Sequence, residues 1–364
     1  MIPVTYCTNI HPGESWAETL ENLASHGLAV KAACSPDAPF PIGLRVSGRA
    51  VYEIDATEAV RFRDWLKGKG LYVATVNGFP YGAFHHKPVK AAVYRPDWRS
   101  RKRLEYTLRL ADFLAVWLPC GLQGSISTVP LGFAGEFASG DDAAAMGLMK
   151  EALEGLARLL EETGRRIRLS VEPEPGCLLE TTEDLVRFFA RMDLSERLRP
   201  HLAMCYDCCH QALQFEEPEQ SLKLLSRNGV PIGHVQASSA LRLEGGAPEA
   251  LSRFIEPVYL HQAVAKTPDG LCRFDDLPEA LAEKPDDATQ WRAHFHLPVF
   301  MDSLPECHTT NDFLRRILPL FPKETPMEVE TYTFSVLPAD LQTPTVTESI
   351  IREIRWVEEA RRSA

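Results

Sequence analysis

The chain has 364 residues, 45% hydrophobic and 24% charged, which is enough apolar material for one large core or for two or three smaller ones. Its 39 basic and 50 acidic side chains leave a net charge of −11, which argues against nucleic acid or an anionic membrane surface as partner. No apolar run approaches the roughly 20 residues of a membrane span, Met1-Ile2-Pro3-Val4-Thr5-Tyr6 lacks the marks of a secretion signal, and nine cysteines without framework spacing suit a reducing compartment, so a cytoplasmic protein is expected.

Strand-like and helix-like segments alternate from the start. Val4 to Asn9 reads as a short strand. Ser15-Trp16-Ala17-Glu18 then forms a capping box for a helix carrying Trp16, Leu20 and Leu23 on one face. Leu44 to Val46 is a weak second strand, and Asp55 caps a helix that ends near Gly68 and Gly70. Leu71 to Val76 is a firmer strand that leads into Asn77-Gly78-Phe79-Pro80-Tyr81-Gly82. A helix from Ser100 to Leu118 follows, with Leu104, Leu108, Ala111 and Leu114 on one stripe. Gly124 to Val129 is the fourth strand, and residues 142–163 return to helix.

Ile167 to Val171 is the fifth strand, followed by a helix that Thr182 is expected to cap. Leu202 to Tyr206 is the sixth, and Pro218 opens the helix after it. Ile232 to Ala237 is the seventh. The rhythm then breaks: Tyr259 to Lys266, the Thr267-Pro268-Asp269-Gly270 turn and Leu271 to Phe274 read as a hairpin, and Ala293-His294-Phe295-His296-Leu297 follows. A helix near residues 310–320, the eighth strand Met327 to Thr331 and a helix over residues 346–361 close the chain. Eight strands alternating with helices indicate an α/β (β/α)8 TIM barrel in one domain, residues 1–364, with an insertion at about 241–308 before the last helix and strand.

Active sites of such barrels lie at the C-terminal ends of the strands. Four consecutive strands end in metal-ligand side chains: Glu172 and Glu174, Asp207 with His210 three residues on, His234 with Gln236, and Glu328 with Glu330. Each pair two apart shares a strand face, and Glu330 lies nearer the strand end than Glu328. A single strand-end carboxylate is usually a helix cap or a solvated loop residue. Carboxylates gathered at one spot repel unless a cation neutralises them, so the set points to a divalent ion at the barrel mouth. Mixed oxygen and imidazole donors suit Mn²⁺, Zn²⁺, Co²⁺ or Fe²⁺, and a purely oxygen set suits Mg²⁺.

Other histidines raise alternatives. His85-His86 follows the third strand, His11 lies at the mouth of the first, and His294 and His296 point the same way in an extended segment. Their possible roles are a second metal, substrate contacts or surface positions. His11, Asn77, His86, Gln236, His294 and His296 are the expected substrate contacts. Cys205 and Cys208 have C-x-x-C spacing around Asp207, but no second pair completes a zinc knuckle, and burial as small barrel residues is the plainer expectation. No phosphate-binding glycine motif and no Gly-x-Ser-x-Gly elbow is present.

Glu172, Asp207-x-x-His210, His234 and Glu330, in that order, resemble the xylose isomerase-like barrel superfamily. It holds sugar epimerases and isomerases, inosose dehydratases and metal-dependent abasic-site endonucleases. The resemblance implies Glu172, Asp207, His234 and Glu330 as metal ligands, Glu172 and Glu330 as the proton-transferring pair, and His210 as a substrate contact. Thr5 to Trp16, Asn77 to Gly82, Gly124 to Thr128 and Glu328 to Thr333 also resemble the EboE family, described as metabolite-traffic proteins. The expected function is a metal-dependent isomerase or epimerase acting on a small polyhydroxylated or carbonyl metabolite. The alternatives are a metal-containing metabolite-binding protein without turnover and an abasic-site endonuclease, which the acidic charge disfavours.

Overall fold

The computed structural model describes residues 2–245 and 248–362. Eight parallel strands form the larger sheet: β1 (Thr5–Tyr6), β2 (Phe40–Arg45), β3 (Leu71–Asn77), β4 (Gly124–Thr128), β5 (Ile167–Val171), β6 (Leu202–Asp207), β7 (Ile232–Ala237) and β13 (Met327–Val329). Their order is β1-β13-β7-β6-β5-β4-β3-β2. A parallel bridge between Cys7 and Gly43 brings β1 back to β2 and nearly closes the barrel. The helices between the strands pack outside, as the strand–helix rhythm requires.

The first two barrel strands differ most from the sequence reading, and β13 ends at Val329, two residues before the expected Thr331. β1 is confined to Thr5–Tyr6, because the chain turns into a short 3₁₀ segment at Thr8–Ile10. β2 begins four residues earlier than Leu44, at Phe40. Pro41 and Gly43 disguise it, since both are poor strand formers. Gly43 has a local reason: a Cβ there would lie 1.9 Å from Glu328 Oε2. The Glu328 side chain crosses the barrel to accept a hydrogen bond from Thr75 Oγ1 at 2.7 Å, and only glycine leaves it room.

The helix caps follow the sequence closely. Ser15 and Glu18 form the capping box of the helix Trp16–Asn22. The helix Thr182–Met192 is capped by Thr181, one residue earlier than expected, in a box with Asp184.

After β7 the chain builds a second, antiparallel sheet: β8 (Ser239–Glu244), β9 (Ala263–Thr267), β10 (Gly270–Phe274), β11 (Gln290–Leu297) and β12 (His308–Thr309), in the order β10-β9-β11-β8-β12. β9 and β10 pair across the turn at Pro268-Asp269. This sheet has its own core, with Leu241, Phe254, Leu277, Trp291 and Phe295 buried in it. Strand alternation along β11 sends Phe295 into that core and the flanking His294 and His296 the other way. Phe295 stacks on His261, with ring centroids 4.7 Å apart, and burying such a ring contributes ~2–3 kcal/mol to holding the strand in place. Lys90, from the loop after β3, ties the two parts together: its Nζ donates to Asp276 Oδ2 at 2.7 Å and to the Tyr259 carbonyl at 2.7 Å.

Candidate metal centre

The barrel interior is unusually polar along its axis. Branched aliphatic layers fill most such barrels, but Thr75, Ser125, Ser127, Ser170, Cys205, His234 and Glu328 are all buried here. Above them, at the C-terminal strand ends, Glu172, Asp207 and Glu330 each offer a carboxylate oxygen within 4.8 Å of the others. All three are at most 3% exposed.

Each carboxylate is placed by backbone. Glu172 extends the ladder beyond β5, donating its N–H to the Thr128 carbonyl at 3.1 Å. Asp207 ends β6 and caps the helix Cys208–Leu213, its Oδ1 accepting from His210 N–H at 3.0 Å. The cap role and the site role therefore coincide in one residue. Glu330 follows β13 and is the most tightly held of the three. Its Oε1 accepts from Asn9 Nδ2 at 2.8 Å, Asn77 Nδ2 at 2.8 Å and Gln236 Nε2 at 3.0 Å. Glu172 is held least: its Oε2 is buried without a hydrogen-bond partner.

His234 does not join this group. β6 and β7 pair Cys205 with His234 and Asp207 with Gln236, with a register shift between Met204 and Cys205. Gln236 therefore stands level with Asp207, and His234 lies one alternation deeper in the barrel. Its Nδ1 meets Ser125 Oγ at 2.6 Å, and its Nε2 faces Cys205 Sγ at 3.3 Å and Glu328 Oε1 at 3.9 Å. Gly233 makes this packing possible, since a Cβ there would sit 2.1 Å from Ser170 Oγ.

The imidazoles beside the carboxylates come from elsewhere. His210 Nε2 lies 3.2 Å from His294 Nε2, which lies 2.8 Å from His296 Nε2. Glu174 Oε2 is 3.1 Å from His210 Nε2. Asp207, His210 and His296 also come within 4.8 Å of one another through single ligand atoms, so the carboxylate and histidine groups adjoin. His294 and His296, expected from the sequence to face one way, do so, toward His210 and the pocket.

Two expected contacts lie away from the site. His11 is buried against Tyr6, with Nε2 3.2 Å from the hydroxyl, and stacks on His26. His86 is exposed, in a left-handed conformation with φ 61°, and it is His85 that turns inward. His85 Nε2 meets the Asn9 carbonyl at 2.6 Å and its Nδ1 faces Tyr259 Oη at 3.0 Å.

A pocket rises above the carboxylates and histidines. Its upper wall is apolar and aromatic, with Phe79, Phe84, Val93, Tyr94, Tyr259 and Tyr332. Glu174, read from sequence only as a strand-end carboxylate on the Glu172 face, forms one chain of contacts with Tyr94 and Gln262, which carry no role from sequence. Tyr94 Oη donates to Glu174 Oε1 at 3.2 Å and accepts from Gln262 Nε2 at 2.7 Å. Glu174 was visible by its two-residue spacing from Glu172. Tyr94 and Gln262 carried no sequence signal, because they arrive from a loop and from the insertion.

The electrostatics are those of charges sealed from water without a counter-ion. Burial, reinforced by Asp207 and Glu174, pushes the Glu172 carboxyl well above its ordinary range. Burial and Asp207 do the same to Glu174. Burial raises Asp207, and burial with the charges of Glu172 and Asp207 raises Glu330, against the pull of its three amide donors. Burial drives His210 down to about 3 and His296 to about 4. A divalent cation reverses both tendencies at once, stabilising the carboxylates and taking the imidazole lone pairs. The unpartnered Glu172 Oε2 and the three gathered carboxylates fit such an ion.

A family model described as xylose isomerase-like TIM barrel matches residues 15–267. Solved structures similar to the chain include an L-ribulose 3-epimerase, at 12% identity and TM-score 0.54, covering 100% of this chain and 96% of that one. A xylose isomerase-like TIM barrel protein from Mycobacterium smegmatis in complex with magnesium aligns at 12% identity and TM-score 0.52, covering 100% and 97%. The IOLI protein with a zinc atom aligns at 11% identity and TM-score 0.52, covering 99% and 98%. No curated protein matches the sequence.

Proposed function

The chain belongs to the xylose isomerase-like TIM barrel family, and from that premise we propose that it is a divalent-metal-dependent isomerase or epimerase of a small carbonyl or polyhydroxylated metabolite. The observation that carries this reading is the buried trio Glu172, Asp207 and Glu330 at the strand ends, with Glu172 Oε2 left unpartnered beneath an open pocket. The trio would hold the ion, and the zinc and magnesium of the neighbouring structures support the same class of cofactor. When bound, such an ion supplies Lewis-acid polarisation of a carbonyl oxygen.

The chain's own residues divide the remaining work. Glu172 is the better proton carrier, because no donor ties its Oε2. Glu330, fixed through Oε1 by three amides, orients its second oxygen and serves as the opposing acid–base group. A proton taken from the carbon next to the carbonyl by one carboxylate and returned by the other, on the opposite face, inverts that carbon. Phe79, Phe84, Tyr259 and Tyr332 exclude water and favour a substrate with an apolar portion. The resemblance to the EboE family supports a place for this activity in metabolite traffic.

Solvent-proton exchange into candidate ketoses and inososes in D₂O, followed by NMR, tests this. The wild type with Mn²⁺ is expected to exchange the proton next to the carbonyl, and Glu172→Gln to lose at least ~100-fold of that rate. Binding of the same compounds without exchange in the wild type would instead support a metabolite-binding protein.

A further inference from the structure

Among the residues that line the pocket, one is a lysine and none is an arginine. The lysine is already committed. Lys90 Nζ donates to Asp276 Oδ2 at 2.7 Å, to the Tyr259 carbonyl at 2.7 Å and to the Glu256 carbonyl at 3.2 Å. An ammonium has three donors, so none is left for a ligand. Two buried arginines near the pocket are engaged in the same way. Arg103 donates to the Gly78 and Phe79 carbonyls and Arg45 to those of Pro80 and Gly82, so both brace the loop after β3. The floor, meanwhile, is acidic, with Glu172, Glu174 and Glu330 lining it. A divalent ion offsets two of the three negative charges of Glu172, Asp207 and Glu330. A phosphate or carboxylate on the substrate would still meet net negative charge in a site sealed from water.

What the floor offers a polar ligand is acceptors. Asn9 Oδ1 and Glu172 Oε2 are buried without a hydrogen-bond partner, on two residues that line the pocket. Each is matched by a donor such as a hydroxyl. Higher in the pocket the polar groups are paired among themselves. Gln262 is held by Tyr94, His294 and the Pro175 carbonyl, and the Tyr259 hydroxyl faces His85.

The rest of the upper wall is apolar. Phe84, Tyr259 and Tyr332 arrive from the loop after β3, from the insertion and from the segment after β13. Their ring centroids lie 4.9, 5.0 and 5.2 Å apart, so each ring fixes the others and the wall stands ready for a ligand. Tyr332, Val93 and Leu260 remain half-buried where they line the pocket. A sugar with a hydroxyl on every carbon covers that surface poorly, whereas an apolar ring covers it well.

We propose that the substrate is an uncharged hydroxycarbonyl compound bearing an aromatic substituent, with neither phosphate nor carboxylate. This rests on the reading of the site as an isomerase or epimerase centre and narrows its substrate. The hydroxyls meet Asn9 and Glu172 at the floor, and the aromatic group lies against Tyr332, Val93 and Leu260.

Calorimetry on the Mn²⁺-loaded protein tests this, with ketohexoses in three forms: free, phosphorylated on the terminal hydroxyl, and benzylated there. For at least one ketohexose the benzyl ether is expected to bind ~10–100-fold more tightly than the free sugar, and the phosphate more weakly. Leu260→Ser should shrink the benzyl advantage. Val93→Lys, which brings an ammonium to the pocket wall, should raise the affinity for the phosphate relative to the free sugar, and it carries the test if Leu260→Ser does not fold. No benzyl advantage for any ketohexose, or a phosphate that binds as tightly as the free sugar, would overturn the proposal. Deuterium exchange next to the carbonyl of the same compounds reports the earlier reading separately. Tight binding of a benzyl ether without exchange would count against the isomerase and leave this substrate class standing, and exchange of free sugars with no benzyl preference would do the reverse.

Discussion

Glu328→Gln is expected to stabilise the metal-free protein by an amount that grows with pH. Glu328 is fully buried near the barrel axis. Its Oε2 accepts one hydrogen bond, from Thr75 Oγ1 at 2.7 Å, and its Oε1 has no partner. Burial lifts the carboxyl from 4.5 to about 7, with the Thr75 bond pulling only partly back. Between those two pH values the folded chain keeps a proton that the unfolded chain releases, so folding loses stability as pH rises through the window. Below it both states are protonated, and above it the full cost remains. That difference corresponds to about 3 kcal/mol. Glutamine keeps an acceptor for Thr75 and carries no charge. Urea unfolding of EDTA-treated wild type and variant at pH 4.5 and pH 8 measures the effect. The variant's advantage should be about 3 kcal/mol larger at the higher pH. An equal difference at both pH values would refute the reasoning, and would mean that Glu328 is hydrated or paired with protonated His234.

Gly43→Ala should cost ~1–3 kcal/mol in urea unfolding, because its Cβ would meet the Glu328 carboxylate at 1.9 Å and the Tyr6 carbonyl at 2.9 Å. Asn77→Ala removes one of the three amides that hold Glu330 Oε1, and Mn²⁺ affinity measured by calorimetry should fall ~10–100-fold. At an Mn²⁺ concentration 100 times the dissociation constant the ion should add about 2.7 kcal/mol, which for 364 residues raises the melting temperature by roughly 3–4 °C in differential scanning calorimetry. That rise should be absent in Glu172→Gln, Glu330→Gln.

The barrel was legible because strand and helix periods alternate through most of the chain, and because caps such as Ser15 and Asp55 mark helix starts plainly. The gathering of Glu172, Asp207 and Glu330 was legible for a related reason: each stands at or just past the end of a strand, and parallel strands bring those ends together. Depth within the barrel was not. His234 and Gln236 share a face, and two-residue alternation gives no sign of which of them meets Asp207. The register shift at Gly233 decides that, and it belongs to pairing between strands rather than to either strand. The third-strand loop failed for another reason: of two adjacent histidines, only the backbone turn at His86 determines that His85 faces in. His294 and His296 were readable as a same-face pair. Their meeting with His210, 84 residues away from His294 in sequence, depends on how the inserted sheet packs over the barrel mouth.

The most direct measurement of the central claim is a crystal structure grown with Mn²⁺, with anomalous scattering recorded at the manganese edge. The account predicts a peak about 2.0–2.4 Å from carboxylate oxygens of Glu172, Asp207 and Glu330. A fully ordered barrel mouth with no anomalous peak there, at Mn²⁺ concentrations that saturate binding in solution, would contradict it.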